Sequence, residues 1–156
     1  MWRDKKAMTI IEVMIVCAII GILASIVIVT YANTRKKAVL TEAVTAMGSI
    51  RVVMRHHYAE YGRYQELGGF LNPDNQATYP EGIRPGYLDG AYFRDKCYSL
   101  DSTTGNTYSI RCYPGYSDNQ AAKKLADGTP DNSYIKMYPD GTFRQRNVSA
   151  SCYPPE

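Results

Sequence analysis

Glu12 is the residue of this chain whose chemistry most needs explaining. No other charged residue occurs from position 13 to position 30, and a carboxylate inside such an apolar helix costs about 2.5–3.5 kcal/mol on insertion scales. It needs a partner or a purpose; the plain alternative is an anchor helix whose Glu sits near the membrane interface. Cys17 falls in the same apolar stretch and reads as a small packing residue. Cys97, Cys112 and Cys152 lie further on, where an oxidising compartment would let one disulfide join two of the three. A hairpin setting Leu100 against Ile110 puts Cys97 and Cys112 on opposite faces, and a register slipped by one sets them opposite each other. The sequence leaves both open. His56 and His57 are adjacent, so on a helix they point about 100° apart and suit a polar face better than one metal ion. Asp127, Asp131 and Asp140 lack EF-hand spacing. With no nucleophile motif, phosphate-binding glycine loop or paired CxxC, no catalytic residue, cofactor or metal site is expected. The fourteen tyrosines suit half-buried sheet and subunit contacts, where a ring is buried and its hydroxyl stays hydrated.

These residues must be positioned by a modest framework. A chain of 156 residues, 45% apolar, supports one small domain. Its net charge of +3, from 18 basic against 15 acidic residues, is spread along the chain and predicts no nucleic-acid partner. Residues 8–29 would span roughly 33 Å as a helix, enough to cross a bilayer. Arg3, Lys5 and Lys6 precede this run, partly offset by Asp4, which keeps the N-terminus cytoplasmic. A secretory signal would have a shorter apolar core ending at a small-residue cleavage site. Beyond Tyr31, the residues Leu40, Val44, Met47, Ile50, Met54, Tyr58 and Tyr61 recur three or four apart, so the helix continues as an amphipathic half and stops at Gly62. Arg35, Lys36, Lys37, Glu42, Arg51 and Arg55 occupy its other faces. Residues 65–90 hold turn signals in close succession and read as an irregular loop. Strands are expected at 91–100, 108–113, 134–138 and 142–148, with a helix-like stretch at 119–126.

The stretch Lys5-Lys6-Ala7-Met8-Thr9-Ile10-Ile11-Glu12-Val13-Met14-Ile15-Val16-Cys17-Ala18-Ile19-Ile20-Gly21-Ile22-Leu23-Ala24 resembles the processing and assembly signature of type IV prepilins and pseudopilins. Ala7 stands where that family usually has Gly, and Met8 where it usually has Phe. The Tyr-rich segment 58–64, ending Gly62-Arg63-Tyr64, is similar to the end of a pilin helix. The resemblance implies that a prepilin peptidase cuts between Ala7 and Met8 and that Met8 is then N-methylated. It also implies that Glu12 pairs with the Met8 amine of a neighbouring subunit and that Gly21 is a point of loosening or close helix approach. Two charges in an apolar core relieve each other only when subunits dock in register, so the pair would specify axial register.

The implied organisation is a leader at 1–7, a filament-core helix at 8–30, its amphipathic half at 31–62, and a head at 63–156. The implied fold class is α+β, a long N-terminal helix packed against a small antiparallel sheet. The same resemblance favours a Cys112–Cys152 disulfide. It implies a structural subunit without enzymatic activity that forms a helical homopolymer with the help of pilus or secretion assembly machinery. Such a subunit is single-pass in the inner membrane before assembly and extracellular in the pilus afterwards, or periplasmic as a type II secretion pseudopilin. A single-pass membrane-anchored binding or sensor domain is the alternative of another class, and it leaves the run from Ala7 to Ala24 unexplained.

Overall fold

The computed structural model describes residues 8–102, 105–126 and 132–148, and the chain divides into two compact units, Met1–Arg35 and Lys36–Glu156. The long helix α1 runs over Ile10–Tyr61. It stops because Gly62 takes the left-handed conformation at φ +70°, and the Gly62 amide closes the last turn on the Tyr58 carbonyl at 2.9 Å, a geometry that costs glycine nothing.

Within the first unit, the segment Ile10–Val27 has a mean hydropathy of 2.8 and none of it is buried. At 1.5 Å per residue it is about 27 Å long, so with its apolar neighbours it is long and apolar enough to cross a bilayer. Ile10 is 82% exposed. A helix that offers such side chains on every face has no satisfied state in water alone.

Within the second unit, the α1 residues Val39, Leu40, Ala43, Met47, Ile50 and Met54 are buried at helical spacing. Burial of each larger side chain is worth about 1.5–3 kcal/mol. Tyr58 and Tyr61, expected on the same stripe, are 46% and 62% exposed. The core ends one turn earlier, and these rings instead lie against Tyr64 and His57, each at a centroid distance of 4.6 Å. Val44 is only partly buried.

Among the described residues, five antiparallel strands form one sheet in sequence order. They are β1 Leu67–Phe70, β2 Tyr98–Ser102, β3 Ser109–Cys112, β4 Tyr134–Met137 and β5 Phe143–Arg146. Alternation turns Tyr98, Leu100, Ile110, Cys112, Ile135 and Met137 into the core. Two expectations need correcting. The strand anticipated at 91–100 begins only at Tyr98, because Asp95–Cys97 forms a 3-10 turn around a buried carboxylate. The region read as irregular loop also contains β1, whose Leu-Gly-Gly-Phe sequence has little strand propensity and is held by pairing with β2. The helix-like stretch at 119–126 shortens to α2, Gln120–Lys123, started by an Asn119 side chain that accepts the Ala121 amide at 2.8 Å.

Polar residues of α1 fix the loops of this unit. Glu42 Oε1 accepts the amides of Tyr92 and Phe93 at 2.8 Å, and its Oε2 accepts that of Ala91 at 3.1 Å. Gly90 is needed beside it, since a Cβ there would collide with the same carboxylate. Arg51 Nε donates to the Pro139 carbonyl at 3.0 Å, gripping the turn between β4 and β5. Both side chains lie off the apolar stripe, on the faces expected for them, and both are half-buried.

Candidate functional site

The first turn of α1 is built around a reciprocal pair. Thr9 precedes the helix, and Glu12 is its third residue. The Thr9 amide and the Thr9 hydroxyl both donate to Glu12 Oε2 at 2.9 Å, while the Glu12 amide donates to Thr9 Oγ1 at 3.3 Å. This is a capping box, which satisfies amide donors that a helix start leaves without intrahelical partners. The carboxylate also lies at the positive end of the helix dipole.

Within the chain, then, Glu12 has a local role. Thr9 was not singled out from the sequence, although the spacing Thr-x-x-Glu ahead of an apolar run is the signal that would have found it. A carboxylate offers about four acceptor positions, so an external cation can join it while Thr9 remains bonded.

The other candidate residues are placed as follows. Met8 is 66% exposed just ahead of the cap, and Ala7 lies outside the described residues together with the rest of 1–7. Among the described residues, Gly21 has no atom within 4 Å of where a Cβ would sit, so none of them asks for glycine there. Cys17 is exposed on the same helix.

Cys97 and Cys112 are both fully buried and stand as free thiols. Leu100 does pair with Ile110, but Cys97 ends the 3-10 turn ahead of β2, and both cysteines lie in the one hydrophobic core instead of on opposite faces. Burial pushes both thiols up from their ordinary pKa, Cys112 well above it with Cys97 adding to the effect, so neither is a ready nucleophile. Cys152 lies outside the described residues.

The two histidines diverge. His56 Nδ1 is 3.7 Å from Glu60, while His57 Nδ1 lies 2.8 Å from the Arg63 carbonyl. Among the described residues, no three His, Cys, Asp or Glu side chains converge as metal ligands would.

Comparison with known proteins finds a family model on this same N-terminal segment and relatives over longer stretches of the chain. Residues 2–28 match the family model described as the prokaryotic N-terminal methylation motif. The chain is similar to a type IV major pilin protein of Neisseria gonorrhoeae, 26% identical over 122 residues, covering 78% of this chain and 67% of the relative. A second gonococcal type IV major pilin protein is 26% identical over 58% of this chain and 46% of its own length. Core protein G of the type II secretion system of Aeromonas hydrophila is 29% identical over 59% of this chain and 64% of its own. The chain thus spans about half to two thirds of the length of these curated relatives. No solved structure matches it significantly. The capped carboxylate and the exposed apolar helix that follows it lie inside the segment that the methylation motif covers.

Proposed function

We propose that the chain is a pilin-like structural subunit of the type IV pilin and pseudopilin family, and that it builds a type IV pilus by docking its N-terminal helix against those of other copies. The observation that carries this reading is Glu12, a carboxylate at the head of an 18-residue apolar span with none of its surface buried. An exposed apolar helix is stable in a bilayer or in a bundle of its own kind. A carboxylate at its start favours the bundle once a cationic amine is brought to it. Cleavage between Ala7 and Met8 supplies that amine. It leaves Met8 as the residue next to Thr9, and the Met8 amine of one subunit then meets Glu12 of the next. The head units need no catalytic group for this role, since the activity is assembly itself. Before assembly the subunit is single-pass in the inner membrane.

A second reading is favoured by the 29% identity to a secretion core protein: a type II secretion pseudopilin that polymerises in the periplasm. Mass spectrometry of the N-terminus in filaments sheared from cells tests the main reading. The expected result is a chain beginning at N-methylated Met8 in the surface fraction. Recovery of the same processed chain only from the periplasmic and membrane fractions would transfer the reading to the pseudopilin. An intact Met1 start in assembled filaments would contradict processing altogether.

A further inference from the structure

Cys97 and Cys112 meet through a break in strand alternation. Tyr98 pairs with Cys112, and the Tyr113 amide donates to the Cys97 carbonyl at 2.8 Å, so the ladder runs one step beyond β2 and sets Cys97 beside Tyr113. In a regular strand Cys97 would then face away from Tyr98 and Cys112. Instead it closes the 3-10 turn Asp95–Cys97, its amide donating to the Arg94 carbonyl at 2.8 Å. Cys97, Tyr98 and Cys112 all lie in the one core with no exposed surface. The turn is held from below by the buried Asp95 carboxylate, which accepts the Tyr79 hydroxyl and the Gly86 and Leu88 amides.

Opposite Cα atoms of an antiparallel pair are about 4.5–5.5 Å apart and a strand rises about 3.3 Å per residue, which sets the Cα atoms of Cys97 and Cys112 about 6 Å apart. Disulfides bridge Cα separations of roughly 4.4–6.8 Å. The two thiols also sense each other, since Cys97 helps to hold Cys112 above its ordinary pKa. One buried cysteine is ordinarily a small packing residue. Two that a departure from alternation brings to the same side of paired strands are placed to react with each other.

We propose that Cys97 and Cys112 are joined by a disulfide across the start of β2 and the end of β3, in place of the Cys112–Cys152 pairing that the resemblance implies. The bond depends on the head being exported, as the proposed function has it, because thiols stay reduced in the cytoplasm. The oxidant is the disulfide of a dithiol oxidoreductase in the exported compartment. The Cys97 thiolate attacks one of its sulfurs, forming a mixed disulfide and releasing the other as a thiolate. The Cys112 thiolate then attacks Cys97 Sγ, which closes the intramolecular bond and releases the second oxidant thiolate. Two electrons pass to the oxidant, and the two protons lost by the cysteines end on its thiols. Both cysteines are fully buried once the head is folded, so the exchange precedes closure of the core, and the finished bond is shielded from reductants afterwards.

Trypsin separates the three cysteines of the second unit into peptides 97–111, 112–123 and 147–156, so the pairing can be read directly. The full-length chain is taken from the membrane fraction of cells, alkylated in denaturant, digested without reductant and analysed by mass spectrometry. A link between 97–111 and 112–123 is expected, with Cys152 alkylated. In parallel, the reduced, urea-unfolded chain is refolded in detergent with a glutathione redox buffer, where the same link should form without any export step. Cys152→Ser should keep the link and the thermal midpoint. In that background Cys97→Ala, Cys112→Ala and the double variant should each lower the midpoint by about 10 °C or more and by similar amounts, because either single change already removes the bond. A Cys112–Cys152 link, three alkylated thiols in both samples, or losses from the single variants that add up in the double one would overturn the pairing. A link formed in glutathione and absent from cells would instead count against the exported placement of the head.

Discussion

Glu12→Ala is expected to reach the membrane at parental abundance and to yield few or no filaments. Removing the carboxylate deletes an insertion penalty of about 2.5–3.5 kcal/mol, while the loss of its capping bonds with Thr9 costs the helix start about 0.5–2 kcal/mol. The single subunit therefore loses little. In a filament each Met8 amine would be left without its counter-charge in an apolar core, and breaking a buried pair from one side costs about 3–5 kcal/mol per contact. Repeated at every subunit, that abolishes or shortens the polymer. Glu12→Gln separates the two roles, because glutamine serves a capping box as glutamate does and carries no charge. It should keep the helix start and still fail to assemble. Membrane-fraction abundance and sheared filament yield, measured side by side, decide the matter, and normal filaments from the glutamine variant would show that Glu12 is only a cap.

Asp95→Ala should destabilise the second unit by about 3–5 kcal/mol. Asp95 is fully buried in the connection between β1 and β2. Its Oδ2 accepts the Tyr79 hydroxyl at 2.6 Å and the Gly86 amide at 2.5 Å, and its Oδ1 accepts the Leu88 amide at 3.2 Å. Its own amide donates to Asp89 Oδ1 at 3.0 Å. Truncation would orphan three donors, at about 1–3 kcal/mol for each one left buried without a partner. Asp95→Asn keeps the shape and part of the accepting capacity, and should lose about half as much. Urea unfolding of the full-length chain in detergent, followed by tyrosine fluorescence, measures both. A loss under 1 kcal/mol for the alanine variant would mean that this loop is held by its apolar residues Leu71, Ile83 and Leu88 instead. Burial and the Asp95 carboxylate also push the Tyr79 phenol above its ordinary pKa, so this bond persists through alkaline conditions that ionise exposed tyrosines.

The parts of the structure legible in the sequence are those written in local periodicity. The apolar run ahead of the amphipathic stripe specifies α1, Gly62 ends it, and the isolated carboxylate at Glu12 marks the candidate site. The Thr9 cap is equally local, carried by its Thr-x-x-Glu spacing to Glu12. What escaped depends on distant residues. Glu42 holds amides 49 to 51 positions away, β1 exists through pairing with β2, and Asp95 bends a stretch that had the composition of a strand into a turn. Arg111 and Arg144 likewise become neighbours of Lys136 only through the strand register. Local propensity carries no information about such pairings.

The pairing of Met8 with Glu12 across subunits is tested most directly by zero-length cross-linking. Filaments assembled from a mixture of isotopically light and heavy subunits would be treated with a lipophilic carbodiimide, which joins an amine to a carboxylate in contact with it. The account predicts an amide between the Met8 amine of one subunit and the Glu12 carboxyl of another, seen as a mixed light–heavy peptide. Links confined to subunits of one label, or none at Glu12 in well-formed filaments, would contradict it.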